Sequence, residues 1–255
     1  MPAAFHTFLC LSDNIGVLVH DDETGATASV DVPDAAAVER ALEEMNWRLS
    51  HIIVTHRHAD HTQGIPALKA KTGAHVVAPR KAAAQVPDAD ELVAGGDKVK
   101  IGALVASVLD TPGHCADHIS YWFQKDNALF AGETIFTLGC GRISEATPSV
   151  LWSSLQRIAG LPDETRIWSG HDYTLSNGKL ALSVDGANAA LKKRYAEAEK
   201  LRALGKLTVP TTLAEEKATN PFLRAGDPQV QKAVGMAGAD ASAVFAELRE
   251  RKNRF

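Results

Sequence analysis

The sequence predicts an α/β fold of two sheets covered by helices, followed by a smaller helical domain. Three observations carry that prediction. Over the first 170 or so residues, short β-type runs are punctuated by helical segments without the strict alternation of a doubly wound sheet. Residues 51–55, "HIIVT", form a continuous apolar run rich in β-branched residues, the mark of a strand buried on both faces. From about Tyr173 the texture changes to long amphipathic helical patterns such as "NAALKKRYAEAEKLRALG" and "DASAVFAELRERKNRF".

Taken in order, "HTFLCL" and "IGVLVHD" read as strands either side of the turn former "SDN", and "DDETG" separates the second from "ATASVDV". "PDAAAVERALEEMNW" reads as a helix. Pro33 and Asp34 open it, and Ala37, Val38, Ala41, Leu42 and Met45 recur at helical spacing. After the strand "HIIVT", "TQGIPALKAKTG" reads as one helix closed by Gly73, and "AHVVAP" as a strand. "DKVKIG", "LVASVLDTPGH", "HISYWFQ" and "ALFAGET" continue the strands, with "KDN" as a turn. "PSVLWSSLQRIAGLP" is a helix, and "TRIWSGHD" is expected to be the last strand. The expected domains are residues 1–172 and a helical domain at 173–255.

Composition narrows the function. The chain has 255 residues, 45% hydrophobic and 23% charged, with a formal net charge of −4, so no global basic field draws it to nucleic acid or a membrane surface. No apolar run approaches the roughly 18 residues of a membrane span, and the N-terminus lacks the basic segment of a secretory leader. The three cysteines form no CxxC and no disulfide framework. The expectation is a cytoplasmic enzyme, a monomer or weak homo-oligomer, with neither nucleic acid nor membrane as partner.

The chemistry concentrates in "THRHADH", residues 55–61, directly after the buried strand. In extended backbone His56 and His58 face the same side and can share one ion, while Asp60 and His61 lie at the turn into the next helix and can face another. HExxH, GxSxG, P-loop and GxGxxG motifs are all absent. Further ligand-type residues follow other apolar runs: His114 in "DTPGHCADHISY", Glu133 in "FAGETIF" and His171 in "WSGHDYT".

THxHxDH after an apolar strand resembles the metallo-β-lactamase superfamily, which implies a metallo-β-lactamase-like αββα four-layer sandwich with, here, a small C-terminal helical domain. Within it, "LFAGETIFTLGCGR", "SGHDYT", "TVPTTLAEEKATNPFLR" and the terminal "RERKNRF" are similar to glyoxalase II, the hydroxyacylglutathione hydrolases, along essentially the whole chain. The resemblance implies two divalent metal ions, zinc first with iron or manganese as alternatives. His56, His58 and His114 would hold one, Asp60, His61 and His171 the other, and Glu133 would bridge. The family normally has aspartate at the bridge, and the glutamate here is longer by about 1.5 Å. The implied reaction attacks the thioester of S-(2-hydroxyacyl)glutathione, S-D-lactoylglutathione foremost, with hydroxide generated at the ions, as in methylglyoxal detoxification. Asp60 would also orient the attacking group. Arg142, Tyr173, Arg249 and Lys252 would bind the glutathione moiety, arginine as a bidentate fork on carboxylate. Ser144 replaces an aromatic residue of many members, which implies looser glutathione binding. A mononuclear-iron dioxygenase acting on glutathione persulfide, or a hydrolase of this fold with another substrate, is the alternative. His118 is expected to make a core hydrogen bond, and Cys115 and Cys140 to pack.

Overall fold

The computed structural model describes residues 2–255, which fall into two compact units. The first comprises the chain up to Asp110 together with Asp117–Gly132, and the second comprises Thr111–Ala116 with Glu133–Phe255.

In the first unit, β1 (Ala4–Cys10), β2 (Asn14–His20) and β3 (Thr27–Val30) form an antiparallel meander. Helix α1 (Ala35–Met45) then crosses to β4 (His51–Ile53), which lies parallel to β3. Asp34 caps α1 by accepting from the Ala36 N–H, and Asn46 ends it in the left-handed region at φ 54°. The helix expected over residues 62–73 is α3 (Ile65–Thr72), and a separate short helix, α2 (Ala59–Thr62), precedes it where a turn was expected. α3 starts afresh with Pro66 in its first turn, and Gly64 before it has no room for a side chain, because a Cβ would lie 2.6 Å from Val32 Cγ1 and 2.9 Å from Val32 O. Gly73 closes α3 at φ 69°, as expected.

Strands β5 (His75–Pro79) and β6 (Glu91–Val93) extend the parallel part of the sheet, which runs β1 to β6 in sequential order. Ile52, Ile53 and Val54 are completely buried. Ile52 and Val54 join a core with Val38, Leu42, Ile65, Leu68 and Val76, contributed by α1, α3 and β5. Each such side chain contributes about 1.5–3 kcal/mol by leaving water. The parallel register has a functional consequence. β3 and β4 end side by side, so whatever follows Val30 and Ile53 emerges at the same sheet edge. The unit is completed by β7 (Lys98–Ile101), β8 (Leu104–Asp110), β9 (Ile119–Phe123) and β10 (Ala128–Phe130), each antiparallel to the next.

The second unit opens with the hairpin β11 (Ile135–Phe136) and β12 (Gly139–Cys140), followed by α4 (Pro148–Ala159) and β13 (Arg166–Trp168). Helices α5 (Thr174–Asp185) and α6 (Ala189–Ala203) follow. β13 is not the last strand: β14 (Thr211–Thr212) pairs antiparallel with it, inside a segment whose prolines and cap residues concealed so short a strand. Helix α7 (Leu213–Thr219) starts with a capping box between Thr212 and Glu215. After α8 (Pro228–Ala233), α9 (Ala241–Arg254) packs its Phe245 against Trp152 of α4 and against Phe222, with ring centroids 5.5 and 6.0 Å apart. Helical spacing puts Phe245, Leu248, Arg249 and Lys252 on neighbouring positions of one side of α9. No helix among the described residues is long and apolar enough to cross a membrane.

Candidate metal centre and substrate cavity

In the first unit the ligand cluster lies in the loop after β4 and in α2, not on the strand itself, which ends at Ile53. His56 and His58 nevertheless face one another, with His56 Nε2 3.1 Å from His58 Nδ1. Asp31, which follows β3, organises the group. Its buried carboxylate accepts from the Thr55 N–H at 2.7 Å, the Thr55 hydroxyl at 2.8 Å and His61 Nδ1 at 2.8 Å. Because the Thr55 hydroxyl donates to Asp31, it accepts from His56 Nδ1 at 3.0 Å. Both bonds fix a tautomer, placing the lone pairs of His56 and His61 on Nε2. Asn14 donates to the Asp60 carbonyl at 3.0 Å and to its carboxylate at 3.4 Å, orienting that side chain. His118 is buried and stacks on His56 with ring centroids 5.0 Å apart, and the Arg57–Asp117 ion pair ties the loop to the turn before β9.

In the second unit Glu133, His114 and His171 are all buried and meet. One Glu133 oxygen lies 3.5 Å from His114 Nε2 and the other 3.3 Å from His171 Nε2. The longer glutamate therefore addresses both histidines at once, one with each oxygen. His114 Nδ1 donates to the Arg142 carbonyl at 2.8 Å, which again leaves the lone pair on Nε2. The Tyr173 ring stacks flat on His171, with centroids 4.8 Å apart and an interplanar angle of 7°. In both units, then, imidazoles turned by a second hydrogen bond accompany carboxylates, without thiolate. Such a nitrogen and oxygen donor set suits a divalent transition metal. Cys115 and Cys140 are buried, and burial raises the Cys140 thiol above its usual range.

A cavity of about 320 Å³ in the second unit is lined by His114 and Glu133 together with Phe136, Cys140, Arg142, Tyr173, Ser176, Asn177, Arg249 and Lys252. All four residues expected to bind substrate are in it. Their states differ. The Arg142 side chain is exposed. Arg249 is buried and committed to its own chain, donating to the Cys140 carbonyl at 3.0 Å, the Gly141 carbonyl at 3.4 Å and Asn253 at 3.2 Å, with its guanidinium over the Phe222 ring. Nη1 is shared between the two backbone carbonyls and Nη2 goes to Asn253, so the residue holds the cavity wall while adding positive charge to it. Lys252 Nζ donates to Ser176 Oγ at 2.9 Å, and partial burial beside Arg249 pushes its pKa down to about 8. Ser144 donates its N–H to the His114 carbonyl at 3.2 Å and is exposed.

Residues 23–171 match the family model of the Metallo-beta-lactamase superfamily, and residues 172–255 match that of the Hydroxyacylglutathione hydrolase C-terminus. A hydroxyacylglutathione hydrolase of Methylobacterium nodulans is 60% identical over 250 residues, covering 98% of each chain. The chain belongs to the hydroxyacylglutathione hydrolase family. A second relative with the same name, from Bradyrhizobium sp., is 51% identical over 254 residues and the full length of both chains. Among solved structures, ETHE1 from Myxococcus xanthus superposes with a TM-score of 0.71 at 30% identity, covering 98% of this chain and 91% of that one. The fold is the metallo-β-lactamase fold with the C-terminal helical domain of the hydroxyacylglutathione hydrolase family, as the sequence led us to expect.

Asp31, Asn14, Ser176 and Asn177 were not among the expected site residues. Asp31 follows a strand, but its role depends on the pairing of β3 with β4, which no local pattern shows. The other three had no sequence signal.

Proposed function

We infer that the protein is a metal-dependent thioester hydrolase that converts S-(2-hydroxyacyl)glutathione, with S-D-lactoylglutathione as the principal substrate, to glutathione and the 2-hydroxy acid. One observation carries the reading beyond family membership: the cavity in which His114 and Glu133 meet also holds three cationic side chains and Tyr173, so ligand-type residues and a receptor for an anionic peptide share one space.

We assign His56, His58 and His114 to one divalent ion and Asp60, His61 and His171 to a second, with Glu133 bridging. Zinc comes first, with iron or manganese as alternatives. The two-oxygen reach of Glu133 supports the bridge. Bound there, such ions supply Lewis acidity and lower the pKa of a coordinated water towards about 7. The chain's own residues do the rest. Asp31 and the Arg142 carbonyl keep His61 and His114 in the tautomer that presents Nε2. Asp60, oriented by Asn14, holds a carboxylate oxygen ready to orient the attacking water and receive its proton. Lys252 and Arg142 take the carboxylates of the glutathione moiety, and Tyr173 flanks the thioester end beside His171. The leaving thiolate is stable enough to depart without a dedicated general acid.

The reading includes a cytoplasmic setting and a monomer or weak homo-oligomer, with residues 173–255 as the glutathione-binding domain. Product analysis tests the reaction: incubation with S-D-lactoylglutathione should release free thiol and D-lactate in equal amounts. Thiol release without D-lactate, or neither product, would reject it.

A further inference from the structure

Glu216 is completely buried in α7 and lines none of the cavity, yet its carboxylate is fully used. One oxygen accepts from the Leu138 N–H and from Asn220 Nδ2, each at 2.9 Å, and the other accepts from the Thr211 hydroxyl at 2.8 Å. Asn220 in turn donates to the Gly139 carbonyl at 2.9 Å and the Phe136 carbonyl at 3.3 Å, while Asn177 of α5 donates to the Thr137 carbonyl at 3.2 Å. Side chains from the C-terminal helices therefore meet the polar backbone groups at the tip of the β11–β12 hairpin. The tip needs them. Leu138 sits at φ 60°, a left-handed conformation that a leucine keeps only where its surroundings impose it.

The hairpin is the cavity wall. Phe136 and Cys140 both line the cavity, and Phe136 packs on Tyr173 with ring centroids 5.3 Å apart. Arg249 is anchored on the Cys140 and Gly141 carbonyls, and Arg142 follows at once. The same clamp reaches Arg249 by a second route, because Asn220 Oδ1 accepts from the Phe222 N–H and the Phe222 ring lies under the guanidinium, 5.4 Å away.

We propose that Glu216 is a positioning residue for substrate recognition: through the Leu138 N–H and Asn220 it sets the 135–140 hairpin, and thereby the placement of Cys140, Arg142 and Arg249 around the glutathione moiety. This rests on the reading of the cavity as the glutathione subsite. Burial pushes the Glu216 carboxyl up to about 7, so the clamp stands with the group partly neutral at physiological pH. A neutral isostere is therefore expected to preserve it: a glutamine can accept from Leu138 and Asn220 with its oxygen and donate to the Thr211 hydroxyl with its amide.

The test compares the wild-type holoenzyme with full-length Glu216→Gln, Glu216→Leu and Asn220→Ala. Glutathione affinity is read by calorimetry, KM and kcat with S-D-lactoylglutathione, and metal content per chain. Glu216→Leu should weaken glutathione and raise KM by about tenfold, with kcat within about threefold and metal content unchanged. Asn220→Ala should move the same quantities in the same direction, and decides the matter if the leucine variant does not fold. Glu216→Gln should stay within about twofold of wild type. A folded Glu216→Leu or Asn220→Ala with a lower melting temperature but wild-type glutathione affinity and KM would overturn the inference. So would a loss confined to kcat or metal content. Wild-type protein that binds no glutathione would overturn the reading of the cavity itself, and the inference with it.

Discussion

Asp31 offers the sharpest perturbation of the metal centre, because it touches no substrate residue and acts on His61 through one bond. Its carboxylate takes three donors at 2.7–2.8 Å, the Thr55 N–H, the Thr55 hydroxyl and His61 Nδ1. In Asp31→Asn one of the two oxygens becomes an amide nitrogen, and a donor then faces a donor. The cheapest escape is for His61 to move its proton to Nε2, which removes the lone pair a metal needs. Loss of such an outer partner costs about 10–100-fold in metal affinity, or about 1.4–2.7 kcal/mol. Loss of a hydrogen bond to a buried charged group costs folding about 1.5–3 kcal/mol in addition. The assay is metal content per chain after dialysis against graded chelator, with kcat on the same samples and a thermal melt. Because the same oxygen also holds the Thr55 hydroxyl that fixes His56, Asp31→Asn should give up metal at a chelator concentration at least about tenfold lower than wild type. Added metal should partly restore kcat. A variant that melts lower but keeps wild-type metal retention and rate would refute the tautomer argument and leave Asp31 a packing residue.

Lys252 gives a pH signature. Its pKa is held near 8, so it is charged below that pH and loses its charge above it. KM for the thioester should therefore be lowest below pH 8 and rise as the pH passes through it, whereas Lys252→Met should raise KM about tenfold at pH 7 and flatten that limb; an unchanged KM-versus-pH curve in the variant would contradict the assignment. At the bridge, Glu133→Ala should lower both metal content and kcat, the latter by at least about 100-fold, while Glu133→Asp retains both, and a wild-type rate in the alanine variant would remove Glu133 from the ligand set. Gly132 has φ 49°, and a Cβ there would lie 2.5 Å from His118 Nε2 and 2.9 Å from the Thr55 hydroxyl. Gly132→Ala should thus destabilise by about 2–3 kcal/mol in a denaturant titration, and an unchanged midpoint would show that the loop relaxes freely.

The metal cluster was legible because four ligand-type residues stand within six positions after an apolar strand, a pattern that survives without knowledge of the fold. Its supports were not. Asp31 matters only because β3 and β4 run parallel and end together, and strand pairing is not written locally. The need for glycine at position 64 depends on its close approach to Val32, more than 30 positions away, which a helical period across "TQGIPALKAKTG" could not reveal. Arg249 and Lys252 were legible as a basic pair on one helix side, but their different states were not. Burial and the Cys140 and Gly141 carbonyls turn the arginine inward, while the lysine keeps its amine on the cavity. Glu216 was visible only as part of the family-like segment "TVPTTLAEEKATNPFLR", with no role attached, because that role exists only where the hairpin tip meets α7.

The measurement that bears most directly on the account is hydrolysis of S-D-lactoylglutathione by the purified protein before and after chelation, with metal added back. Turnover should be fast, fall by orders of magnitude on chelation and return with a divalent transition metal. Absence of turnover in metal-replete protein, or turnover indifferent to chelation, would contradict the account.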